Sequence, residues 1–127
     1  MPLVRIALRK GNKPDFGRKV GAIIHQAMVD TIAVPQRDVF QVITEHDADG
    51  LIYDPTYLDI QRTDGIVIIQ IAMSEGRSDD AKKALYKTVA ERLRDQADVR
   101  PEDVFFNLVE VKKANWSFGN GTAQYIV

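Results

Sequence analysis

The residue with the widest chemical range near the start of the chain is Pro2. Removal of Met1 before so small a residue frees a secondary amine, able to act as base, acid or imine-forming nucleophile. The plain alternative is structural, because proline suits the first position of a strand, where no ladder N–H is needed. A second candidate is Gly76-Arg77-Ser78, which joins a predicted strand to a predicted helix. A guanidinium beside free backbone N–H groups there suits a small carboxylate. Its bland partner is Asp79 or Asp80. A single glycine does not make a phosphate-cradling loop. Asp38 and Asp103 each precede a predicted strand, where aspartate commonly organises a turn. Trp116 and Phe118 serve as core or interface anchors or, in company, as apolar walls. His25, on the flank of the first helix away from its apolar stripe, and His46, after a strand, have no companion at ligand spacing. Both read as solvated surface residues. Asp47-Ala48-Asp49-Gly50 lacks the later acidic ligands of a calcium loop and reads as a turn.

Composition narrows the chemistry further. The chain has 127 residues, 45% of them apolar and 28% charged, which fits one compact domain over residues 1–127. Its 17 basic and 18 acidic residues leave a formal net charge of −1, so no overall field draws it to nucleic acid or to anionic lipid. Apolar runs fall short of a membrane span, and the first residues lack a signal peptide's apolar core, so a cytoplasmic location is expected. Cysteine is absent, which removes disulfides, a thiolate nucleophile and thiolate-bound metal. Catalysis has to use other groups.

The elements that would position these residues come from a repeat. Shifting the sequence by 65 residues lays Val34-Pro35-Gln36-Arg37-Asp38-Val39-Phe40 over Val99-Arg100-Pro101-Glu102-Asp103-Val104-Phe105, and Gly11 over Gly76. The halves run over about residues 2–45 and 66–111. Leu3 to Leu8 alternates, and Ile66 to Ile71 is a β-branched run of the kind buried on both faces, hence the more central strand. Phe16, Val20, Ile23, Ile24, Ala27 and Met28 follow helical spacing, as do Ala81, Ala84, Leu85, Val89 and Leu93 after a Ser78 N-cap. Strands at Val39 to Thr44 and Val104 to Val111 close the halves. Two right-handed βαβ units make an α/β (α+β) fold, a four-stranded mixed sheet with two helices on one face. The other face is left open, which favours self-association. Residues 46–65 form the connector, with a short extended piece near Leu51-Ile52-Tyr53. Asn120-Gly121 is a hairpin signal that turns residues 116–127 back as a ribbon.

Together, the Met1-Pro2-Leu3 start, the Val34-to-Gln41 segment, Gly76-Arg77-Ser78 and Asn115-Trp116-Ser117-Phe118-Gly119-Asn120-Gly121-Thr122-Ala123-Gln124-Tyr125 resemble the tautomerase superfamily. Within it, the resemblance is to the malonate semialdehyde decarboxylase-like branch. It implies a homotrimer with an amino-terminal proline in each site and no metal or organic cofactor. Pro2 is then the catalytic amine, Asp38 its acidic partner and Arg77 the carboxylate binder. Trp116 and Phe118 form an apolar wall, with Tyr125 beside them. Some decarboxylases of the branch carry an Arg-x-Arg pair where this chain reads Glu75-Gly76-Arg77. The activity implied is decarboxylation of a small 3-oxo acid. The alternatives are keto–enol tautomerisation of a 2-oxo acid, hydration of an unsaturated acid, and, in another class, a noncatalytic trimeric binding protein.

Overall fold

The structure, a computed structural model, describes residues 1–126. Strand β1 spans Pro2–Arg9, helix α1 Phe16–Ile32, β2 Gln41–His46, β3 Val67–Ser74, helix α2 Asp79–Ala97 and β4 Val104–Val111. The sheet order is β2-β1-β3-β4. Within each half the strands are parallel, and the halves meet antiparallel where β1 pairs with β3.

Alternation fixes which side of each strand is covered. Val4, Ile6 and Leu8 of β1 and Val67, Ile69, Ile71 and Met73 of β3 are buried beneath the helices. Val20, Ile24, Ala27 and Met28 of α1 and Leu85, Val89 and Leu93 of α2 close the core from above. Each of these side chains larger than alanine contributes about 1.5–3 kcal/mol on burial. Gly17 and Gly21 let α1 come close to β2: a Cβ on Gly21 would lie 2.3 Å from Gln41 Oε1. Gln41 Nε2 instead donates to Gly21 O at 2.8 Å.

The sequence repeat has a backbone cause. Gly11 and Gly76, aligned by the repeat, take φ of 111° and 118° where the chain leaves a strand for a helix, a region open to glycine without steric cost. Ala33 and Asp98, also aligned, end the two helices in the left-handed region at φ 57° and 55°. A side chain there costs about 1–2 kcal/mol, and glycine's larger chain entropy takes back about 0.5–1. Ala33→Gly is therefore expected to stabilise the fold by roughly 0.5–1 kcal/mol. Denaturant unfolding checks this, and a lower midpoint with unchanged slope would contradict it.

Two expectations need correction, one on β3 and one on the C-terminal segment. β3 is no more central than β1: both are inner strands, and β3 keeps its outward residues only partly covered, because one face lacks helices of its own chain. The connector segment Leu51-Ile52-Tyr53 joins no strand of the sheet. Leu51 turns inward, 4% exposed, while Arg9 Nε donates to its carbonyl at 2.9 Å and the guanidinium sits over the Tyr53 ring. The ribbon expected over residues 116–127 is not formed among the described residues, and Val127 lies outside them. Asn120 and Gly121 do adopt positive φ. Gln124, however, takes the hydrogen bonds that a partner strand would have made, accepting from Phe118 N–H and donating to Gly119 O, both at 2.9 Å.

Candidate active site

The chain amine lies at one end of the sheet, where β1 begins and β3 finishes. Pro2 pairs with Met73 and is buried. Just before it, the Met1 amino group stands 4.0 Å from Asp38 Oδ2. Asp38 is brought there by the crossing from α1 to β2, where Asp38 N–H donates to Pro35 O at 3.0 Å and Val4 N–H to Phe40 O at 3.0 Å. Its side chain is 9% exposed, and Oδ1 is buried with no hydrogen-bond partner.

Burial governs the charges of this pair. It lowers the amine below its ordinary range, with Asp38 pulling it back up and the Arg77 guanidinium pushing it further down. Burial also raises Asp38, opposed by the amine and by His25. At 4.0 Å the contact is too long for attraction to offset desolvation of both groups. Both members are driven toward their neutral forms, which eases proton exchange with a third group.

Arg77 does not pair with Asp79 or Asp80. Its Nε donates to Ile32 O and its Nη1 to Ser74 O, both at 3.2 Å, tying the last residue of α1 to the last residue of β3. Carbonyl oxygens take up donors without cancelling the charge. No carboxylate forms an ion pair with Arg77 among the described residues, so its positive charge is available to an anion. Ser78 fills its expected place, accepting from Ala81 N–H at 3.1 Å as the N-cap of α2.

Ser74 also anchors the aromatic residues. Trp116 Nε1 donates to Ser74 Oγ at 3.1 Å, the Phe118 ring stacks on Trp116 at 5.4 Å, and Tyr125 meets Phe118 edge-on at 4.9 Å. One residue at the end of β3 thus holds both the cation and the aromatic row. Asp38 and Asp103, matched in the repeat, have diverged in use. Asp103 accepts from Thr63 N–H at 2.7 Å and from Thr63 Oγ1 at 2.6 Å, fastening the connector as it enters β3. Asp38 faces the chain amine at the equivalent place. Glu75 is exposed and is not among the charges that shift the amine.

His25 corrects the sequence reading. The ring is 7% exposed, and Nε2 lies 2.8 Å from Gln36 O. A carbonyl only accepts, so Nε2 carries the proton and donates. The signal lay in the small residues: Gly17, Gly21, His25, Met28 and Ile32 follow a helical stripe once glycines count as contact positions, and all five are buried.

A family profile described as tautomerase enzyme matches residues 38–119, and a second of the same description matches residues 2–59. The chain is 42% identical over 126 residues to the probable tautomerase YusQ of Bacillus subtilis (strain 168), covering 99% of each. The chain belongs to the tautomerase family. Among solved structures, a malonate semialdehyde decarboxylase, described in wild-type, mutant and inactivated forms, matches this chain at TM-score 0.90 and 29% identity, over 97% of this chain and 95% of that one. The FG41 malonate semialdehyde decarboxylase inhibited by 3-bromopropiolate also matches at 0.90, with 34% identity over 97% and 93%. These matches support the resemblance to the malonate semialdehyde decarboxylase-like branch. A fused 4-OT described as a symmetric trimer matches at 0.78 and 18% identity, over 97% of each chain, and so shares the fold. Among the described residues, no helix is long and apolar enough to cross a membrane.

Proposed function

We propose that this tautomerase-family chain is a cofactor-independent enzyme whose Pro2 amine, freed by loss of Met1, acts on a small carboxylate-bearing carbonyl compound. The reading rests on one observation: the Met1 amino group, one residue before Pro2, stands 4.0 Å from the buried carboxylate of Asp38 and also feels the Arg77 guanidinium, which forms no ion pair among the described residues. Decarboxylation of a 3-oxo acid uses all three. Arg77 holds the substrate carboxylate and orients its C–C bond, and the aromatic row of Trp116, Phe118 and Tyr125 keeps water from it. The protonated form of the amine, which the Asp38 carboxylate favours against the opposing effect of burial, donates to the aldehyde oxygen. The C–C bond breaks, carbon dioxide leaves, and its electron pair forms an enolate whose oxygen takes the ammonium proton. The enol then gains a proton at carbon and reverts to the aldehyde, while the amine is reprotonated from solvent.

The second reading, keto–enol tautomerisation of a 2-oxo acid, draws on the lowering of the amine by burial. A neutral amine takes the proton from the enol oxygen and returns it to carbon. Two relatives described as probable tautomerases support it. The Met1-free protein, offered malonate semialdehyde and the enol of a 2-oxo acid in parallel, separates the two readings. Turnover of neither favours a noncatalytic binding protein. Glu75→Arg is expected to raise the rate with the 3-oxo acid, since it adds a second cation beside Arg77. An unchanged rate would leave Arg77 as sufficient.

The open sheet face carries Phe105 and Val109, 45% and 40% exposed, beside a Gln70–Asn107 hydrogen bond of 3.0 Å. Together with the trimeric neighbour of the same fold, this supports assembly as a homotrimer. Light scattering at micromolar concentration should give three times the chain mass, and a stable monomer would contradict it.

A further inference from the structure

Among the described residues, two buried side-chain atoms lack a hydrogen-bond partner, His25 Nδ1 and Asp38 Oδ1. Both border the same short loop. His25 reaches its start through Gln36 O at 2.8 Å, and Asp38 ends it two residues later. Buried polar atoms are nearly always paired, and an apolar residue at position 25 would pack in α1 without leaving one bare. What the histidine adds is its hold on Gln36. It is the one side-chain hydrogen bond that reaches residues 35–38 among the described residues. Within the loop the other ties are two local backbone turns, Asp38 N–H to Pro35 O and Val39 N–H to Arg37 O; the sheet bond from Val4 N–H to Phe40 O lies beyond it, and Pro35, Gln36 and Arg37 are all exposed.

We infer that His25 is a positioning residue: by donating Nε2–H to Gln36 O, it fixes the loop that carries Asp38 and so sets how closely that carboxylate faces the chain amine. The inference rests on the reading in which the Pro2 amine works against Asp38. Its logic is one of reach. An ordered carboxylate near an amine favours the charged amine, and a loop free to swing would let Asp38 turn toward water. Loss of the histidine should then act on the amine only while Asp38 is present.

The test is a ¹⁵N NMR titration of the Pro2 amine in the full-length, Met1-free protein, which needs no substrate. Asp38→Asn removes the anion and is expected to lower the amine pKa by about 1 unit. His25→Phe keeps the ring volume but loses the donor, and should lower it by roughly half a unit. In the Asp38→Asn background, His25→Phe should add nothing further. His25→Gln, whose amide can reach Gln36 O, should restore the native value. If His25→Phe does not fold, His25→Asn takes its place, since its shorter amide falls short of Gln36 O. Equal shifts from His25→Phe with and without Asp38 would overturn the inference, as would an unmoved amine in His25→Phe or failure of His25→Gln to rescue. An amine that does not respond to Asp38→Asn would overturn the underlying reading and this inference together.

Discussion

Pro2→Ala, with Met1 removed, is expected to lose roughly 10²–10⁴-fold in kcat on a small oxo acid, the range that positioned proton transfer supplies. The variant keeps an amino group, so the loss has to come from geometry and basicity. Pro2 is buried against Met73 at the start of β1, and its ring fixes the backbone torsion that aims the nitrogen. Alanine frees that torsion and leaves a primary amine with a wider choice of directions. The same site predicts that retention of Met1 is damaging, because it places the amine one residue further out and makes the Pro2 nitrogen an amide. Steady-state kinetics on both forms, with intact mass to establish the first residue, checks this. An Ala variant within threefold of the native rate would place the chemistry at another group.

The second large effect belongs to Arg77. Arg77→Ala is expected to cost about 2–3 kcal/mol in kcat/KM, or about 30–150-fold, by loss of a charge-assisted pair with the substrate carboxylate. The structure adds a stability consequence. Arg77 donates to Ile32 O and Ser74 O, and at about 0.5–1.5 kcal/mol each the two hydrogen bonds predict a loss of roughly 1–3 kcal/mol in unfolding free energy. Arg77→Lys keeps the charge but cannot serve two carbonyls and a carboxylate at once, since its ammonium is a point and not a fork. It should therefore fall between native and Ala in stability while remaining damaged in kcat/KM. Kinetics and denaturant unfolding on both variants separate the roles. Native kcat/KM in Arg77→Ala would remove the carboxylate from this residue.

Charge at the amine also fixes the sign of a pH effect. Asp38 raises the Met1 amine and burial lowers it, and the Pro2 amine freed one residue further in is expected to feel the same opposing effects. In Asp38→Asn the opposing anion is gone, so the amine deprotonates at lower pH. If the neutral amine is the base of a tautomerase, the acid limb of the rate profile moves to lower pH in this variant. If the charged amine is the acid of a decarboxylase, the alkaline limb moves to lower pH and the active range narrows. The profile therefore tells the two chemistries apart.

Much of the scaffold is legible in the sequence because the repeat constrains it twice. Glycines at 11 and 76 and the aligned helix ends each have a backbone reason, so one half checks the other. β4 runs over Val104–Val111 as its apolar pattern predicts. The C-terminal segment is harder, because Asn-Gly prescribes a turn but no pairing beyond it, and a single glutamine side chain replaces the expected strand partner. At the site, residue types point to Pro2, Asp38 and Arg77, and the fold brings them together at one sheet end. The partners of Arg77 are not readable, because they are backbone carbonyls distant in sequence, at positions 32 and 74. His25 escapes a sequence reading for a related reason: its stripe runs through glycines, which carry no hydrophobic signal.

The most direct measurement exposes the Met1-free protein to 3-bromopropiolate, a small carboxylate-bearing electrophile, and locates any adduct by peptide mass spectrometry while turnover is followed in parallel. The relative inhibited by this compound is 34% identical to the chain. A single adduct on Pro2 is expected, forming as activity disappears and forming more slowly in Arg77→Ala. An N-terminal peptide of unmodified mass in a protein that has lost its activity would contradict the assignment of the Pro2 amine as the reacting group.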